Sequence, residues 1–76
     1  MIKEHDMVVL TEGLPEDRLT AGDVGTVVQV YQGGAGYEVE FMTLAGRTVA
    51  VATVTASQIR AVNPSDLVHV REMQTA

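Results

Sequence analysis

Glu38 and Glu40 stand two positions apart in the run Tyr37-Glu38-Val39-Glu40-Phe41. On an extended strand that spacing places both carboxylates on one face, about 7 Å apart. At such a separation paired carboxylates can divide acid and base work, as they do in glycosidases. A chain of 76 residues has little room for the deep cleft that would raise the pKa of one partner. The alternation with Tyr37, Val39 and Phe41 instead makes the pair the solvated side of a half-buried strand. His5 and His69 are the two histidines, far apart in sequence, whereas a zinc site needs three or four ligands. Ser57 and Ser65 fall in turn-forming sequence with no histidine spaced to activate them, so capping is their expected role. The glycine-rich Gly33-Gly34-Ala35-Gly36 is no phosphate cradle, because such loops open into a helix N-terminus. This one leads into a strand and reads as hairpin closure. No catalytic residue, cofactor or metal is expected.

The charge balance narrows the partners. Ten carboxylates face five cations, for a net charge of -5, and Lys3, Arg18, Arg47, Arg60 and Arg71 are scattered singly. Nucleic-acid binding draws much of its affinity from a basic patch, so no nucleic-acid partner is expected. The same field disfavours polyphosphate cofactors. There is no cysteine for a disulfide or a thiolate metal site. A domain this small without a staple often gains stability by burying surface on a partner or a second copy. The first six residues include the charged Lys3, Glu4 and Asp6, and no apolar run follows that would make a signal peptide or a membrane span. A cytoplasmic location without membrane contact is the expectation.

The elements that position these residues are short strands. Asp6 to Thr11 reads as the first, followed by a turn-rich loop from Glu12 to Thr20 in which Leu14 and Leu19 tuck inward. The acids Glu12, Glu16 and Asp17 of that loop would be solvated or meet a basic partner. The second strand spans about Val24 to Tyr31, entered through Gly22-Asp23-Val24-Gly25, where two glycines permit a sharp bend. The third runs from Tyr37 to Met42 and the fourth from Arg47 to Val54, joined by Thr43-Leu44-Ala45-Gly46. A 3₁₀ turn over Thr55 to Ile59 precedes a closing strand from Arg60 to Val62, and Asn63-Pro64 ends it. Five strands with a long first loop and a 3₁₀ turn before the last describe an all-β, SH3-like barrel over residues 1–63. An OB-fold would require a helix between its third and fourth strands. Residues 64–76 form a tail, either extended or starting a short helix at Ser65.

The fourth strand carries small apolar residues on both faces, where a half-solvated strand should alternate. An even-membered turn over residues 43–46 puts Thr48, Ala50 and Ala52 on the inner face with Tyr37, Val39 and Phe41. Val49 and Val51 then lie outside beside Glu38 and Glu40. With Val27 or Tyr31 on the neighbouring strand they form an apolar patch rimmed by acids, a candidate protein-contact site. Alternatively, Leu67-Val68-His69-Val70 folds back and covers it. Val30 is read as core, so Val30→Asp should unfold the domain. A polyproline groove needs a row of aromatics, and Tyr31, Tyr37 and Phe41 are too few.

Met1 to Asp6, Val8 to Thr11, Ala21 to Tyr31, Tyr37 to Phe41 and Val49-Ala50-Val51 together resemble the uncharacterised domain family numbered 4926, with an echo in Leu67 to Glu72. The resemblance implies a short bacterial protein with an SH3-like barrel. The resemblance also implies that a gene for another small uncharacterised protein can lie beside it, in an arrangement resembling a two-component or toxin–antitoxin pair. Gly22 to Val27 is similar to the turn of KOW modules in ribosomal and transcription factors. Val28-Gln29-Val30-Tyr31 looks like a segment of the trimethoprim-insensitive dihydrofolate reductase, but it lies in the second strand here, and the basic residues that hold NADPH there have no counterpart. The reading is a non-catalytic protein-interaction module that self-associates or binds a neighbouring-gene partner, antitoxin-like. A KOW-like nucleic-acid module and an oligomeric enzyme with a shared pore site are the alternatives.

Overall fold

Alternating apolar residues build one antiparallel sheet. The computed structural model describes residues 1–73. Its strands are β1 (Met7–Leu10), β2 (Val24–Val30), β3 (Tyr37–Met42), β4 (Thr48–Val54) and β5 (Ile59–Ala61), in the order β4-β3-β2-β1-β5. The protein is all-β. The helical pieces among the described residues are 3₁₀ turns at Pro15–Asp17, Gln32–Gly34 and Ala56–Gln58. Among the described residues, no helix is long and apolar enough to cross a membrane.

Tyr37, Val39 and Phe41 point inward from β3 and meet Val8, Val27, Val54 and Ile59 in a core that holds no buried polar residue. The first loop is folded on itself by a bridge between Leu14 and Leu19, with Leu19 buried in the core and Leu14 packed against it. Its 3₁₀ turn starts at Pro15, whose fixed φ suits a first helical position, and lies against β4. Gly22 adopts φ +97°, a backbone open to glycine. Gly25 is required for a different reason, since it is buried where β2 passes under Val39 and Phe41.

The β3–β4 hairpin has the expected phase at its centre, with Val39 opposite Ala52 and Phe41 opposite Ala50. Large side chains therefore sit over small ones. Toward the turn the phase breaks, because Met42 pairs with Thr48 and leaves Val49 as an extra residue. This bulge turns Thr48 outward and Val49 toward the core, against which it packs half-buried. Both placements reverse the alternation read from sequence. A second bulge lies in β2, between the pairs Val27–Val39 and Gln29–Glu38, with Val28 as the extra residue. Val27 is consequently fully buried rather than part of an outer patch. Val30, beyond the bulge, is half-buried against the core.

No helix forms at Ser65. Its amide and hydroxyl both donate to Asn63 Oδ1, at 3.1 and 2.7 Å, while the Asn63 amide donates to Asp66 Oδ2 at 2.8 Å. Local side-chain acceptors thus take the donors a helix would have used. The tail is irregular through residue 73, and 74–76 lie outside the described residues. Two ion pairs fix its course. Arg60 grips Asp66 with two bonds of 3.0 and 2.9 Å, and Arg71 grips Asp23, in the loop before β2, while also donating to the Arg18 carbonyl at 3.1 Å.

The Arg71 guanidinium, bonded to Asp23, holds that carboxyl below its ordinary value, with further help from the Thr20 amide. A depressed folded-state pKa stabilises the fold above the unfolded value of about 3.9 and fades as pH falls through the lower folded value. Asp23→Asn keeps an acceptor for Thr20 but removes the charge. We expect it to cost about 1 kcal/mol at pH 7 and to speed amide exchange in residues 67–73. Urea melts of both proteins should show the difference shrinking as pH falls past about 3.9 and on through the lower folded value; a difference unchanged at low pH would mean that the charge is not what holds the tail.

Candidate protein-contact surface

The outer face of the sheet is built from the residues that alternate with the core. Cross-strand register lines up Val51, Glu40, Thr26 and Met7 in one row, and Thr53, Glu38 and Gln29 in the next. Opposite residues in such pairs lie close enough for their side chains to touch. Glu38 accepts hydrogen bonds from the Tyr31 hydroxyl, at 2.6 Å, and from the Thr53 hydroxyl. Glu40 accepts one from the Thr48 hydroxyl at 2.6 Å. The carboxylates therefore have fixed rotamers on an otherwise exposed face.

These contacts set the chemistry. The Thr53 hydroxyl first, and the Tyr31 hydroxyl second, stabilise the Glu38 anion and lower its pKa. A general acid working near neutrality needs the opposite shift. The bond to Glu38 correspondingly raises the Tyr31 phenol above its ordinary value. Around the carboxylates lie apolar tips: Val51 is 53% exposed, Met42 51%, Met7 54% and Tyr31 37%. The arrangement presents oriented acceptors between apolar tips, features suited to binding another surface.

Of the six residues singled out from sequence, the structure brings Tyr31, Glu38, Glu40 and Val51 together on this face. Val27 and Val49 are drawn into or against the core by the two bulges. Sequence reading missed Met7, Met42, Thr48 and Thr53. Thr53 was open to recognition, since it lies two residues after Val51 and so shares its face; Thr48 was hidden by the bulge.

The other candidates fall elsewhere. His5 sits in a turn, its amide donating to the Val27 carbonyl at 2.7 Å. His69 lines an open hollow with Thr20, Asp23 and Arg71. Among the described residues no cluster of three or more histidines or carboxylates could hold a metal. Ser57 Oγ lies 3.0 Å from Thr55 Oγ1 within the last 3₁₀ turn. The tail does not take the alternative course over Val51; it runs toward Asp23, with Leu67 94%, Val68 87% and Val70 70% exposed.

Fold and face thus define a small five-stranded all-β domain with a hydroxyl-braced acidic surface. The chain belongs to the family described as Domain of unknown function (DUF4926), which it matches over residues 4–61, a span that includes all five strands. No curated protein and no solved structure matches it.

Proposed function

We propose that this protein is a non-catalytic, cytoplasmic SH3-like barrel that works by protein contact through the outer face of β3 and β4. The strand order, with a long first loop and a 3₁₀ turn before β5, supports the barrel reading. The observation that carries the function is Val51, half-exposed between carboxylates already held by Tyr31, Thr48 and Thr53. Ordering long acidic side chains before contact lowers the entropy cost of binding. The partner is a second copy or the product of a neighbouring gene, in an antitoxin-like arrangement that an acidic surface would suit by steering a basic target.

Val51→Lys tests the face. A lysine there stays solvated, so the far-UV spectrum and melting temperature should hold, while association weakens at least tenfold, the scale of losing a buried apolar contact of about 1.4 kcal/mol. The readouts are sedimentation for self-association and calorimetry against the neighbouring-gene product. Association unchanged by this substitution would discredit the face.

A further inference from the structure

The longest edge of the sheet is β4, which pairs with β3 alone. Among the described residues, no backbone hydrogen bond joins it to any other segment. An open edge of seven residues is a template for another strand, and proteins usually blunt one with lysine, proline or a short length. Thr48-Val49-Ala50-Val51-Ala52-Thr53-Val54 contains no charge and no proline. The opposite edge, β5, is three residues long and carries Arg60.

The direction of the free backbone groups follows from two bonds. The Tyr31 amide donates to the Gly36 carbonyl at 2.9 Å, and the Thr43 amide donates to the Arg47 carbonyl at 2.8 Å. Backbone groups alternate sides along a strand. Glu38 and Glu40, in phase with Gly36, therefore turn theirs toward β2, and Tyr37, Val39 and Phe41, in phase with Thr43, turn theirs toward β4. Their partners are Val54, Ala52 and Ala50. Val51 and Thr53 are left with N–H and C=O aimed at the open edge.

The strand also complements itself. Read backwards about Val51, it sets Val51 against Val51 and Ala50 against Ala52, the stretch that lies beyond the bulge at Val49. Alanine meets alanine on the inner face, and the central pair is β-branched on the outer one. The geometry points to a second copy of this chain as the occupant of the edge: two β4 strands pair antiparallel across a twofold axis at Val51, joining the two sheets into one. Such an isologous contact closes on itself. The axis makes the two Val51 residues exchange a pair of N–H···O bonds and brings their side chains together on the outer face. In a chain of net charge -5, this strand itself brings no carboxylate to the seam. Glu40 and its mate lie three strand spacings apart, about 14 Å, beyond the physiological screening length of about 8 Å. The first loop reaches β4 beside Thr53, which confines the paired stretch to its middle.

This inference rests on the contact role of the outer face and names its partner. Val51→Pro removes the edge-facing N–H without touching the β3 ladder, a position where an edge strand tolerates proline. Sedimentation should give a dimer for the natural chain. The substitution should weaken it about thirtyfold, the scale of two exchanged bonds of about 1 kcal/mol each, with the far-UV spectrum retained. Amide exchange on the natural chain gives a second readout that does not depend on any variant folding: Val51 should be protected at high concentration and exchange freely on dilution. A chain still monomeric at about 1 mM, a scale of very weak affinity, overturns the edge pairing and leaves the face open to a different partner. A dimer whose Val51 amide is unprotected also overturns it. A dimer lost in Val51→Pro yet intact in Val51→Lys upholds the edge and sinks the face.

Discussion

Gly25→Ala should destabilise the domain by about 3 kcal/mol, the upper end of the usual overpacking cost, and Gly25→Val should prevent folding. A Cβ at this position would lie 2.6 Å from Val39 Cγ1, 2.8 Å from Phe41 Cε2 and 2.9 Å from the Glu40 carbonyl oxygen. The two side chains have nowhere to retreat, because Val39 is fully buried and Phe41 is 3% exposed. The carbonyl belongs to β3 itself, so relief there means displacing a strand paired on both sides. The strain does not come from φ, and no change of turn geometry removes it. Urea melts of the alanine variant, with the natural chain alongside, give the measurement. A loss under about 0.5 kcal/mol, the range of harmless surface changes, would show that β2 and β3 are not packed this closely.

The same glycine shows what the sequence made legible. Gly22-Asp23-Val24-Gly25 announces a bend at two glycines; the chain turns over Thr20–Asp23 at Gly22 alone, while Gly25 lies within β2 and its close passage beneath β3 needs the third dimension. Strand positions followed the alternation of Tyr37, Val39 and Phe41, and the alanines of β4 do share their face. The register is shifted by two residues from the one an even-membered turn gives: Val39 lies opposite Ala52 rather than Ala50, because Thr43 bonds Arg47 across a three-residue turn and a bulge follows it. What failed were the two bulges. A bulge inserts one residue and reverses the side on which everything beyond it falls. In β2 the extra residue is Val28, next to Val27, and in β4 it is Val49, next to Ala50. In stretches where apolar residues occupy both faces, an inserted valine leaves no break in the pattern. The hydroxyls that brace Glu38 and Glu40 share this history, since Thr48 reaches Glu40 only because the bulge turned it outward.

Val27→Asp separates the two readings of β2 most sharply. With Val27 on the outer face, as simple alternation suggested, an aspartate would join Glu38 and Glu40 in solvent and change stability little. The structure gives Val27 no exposure and packs it with Val8 and Val39 in the core. No polar group is buried there to receive a carboxylate, so the substitution must bury an unpaired charge or protonate it, besides losing the valine contacts. Each route is costly, and the expected loss exceeds about 4 kcal/mol, in the range reserved for such defects. For a domain of this size that approaches the whole stability, commonly about 5 kcal/mol at the low end. Val28→Asp, one residue along at the exposed bulge position, should leave a folded protein. Circular dichroism and the dispersion of amide resonances distinguish the pair: an unfolded Val27→Asp beside a folded Val28→Asp places the bulge, and the reverse result would move β2 by one residue and strip the outer face of its present register.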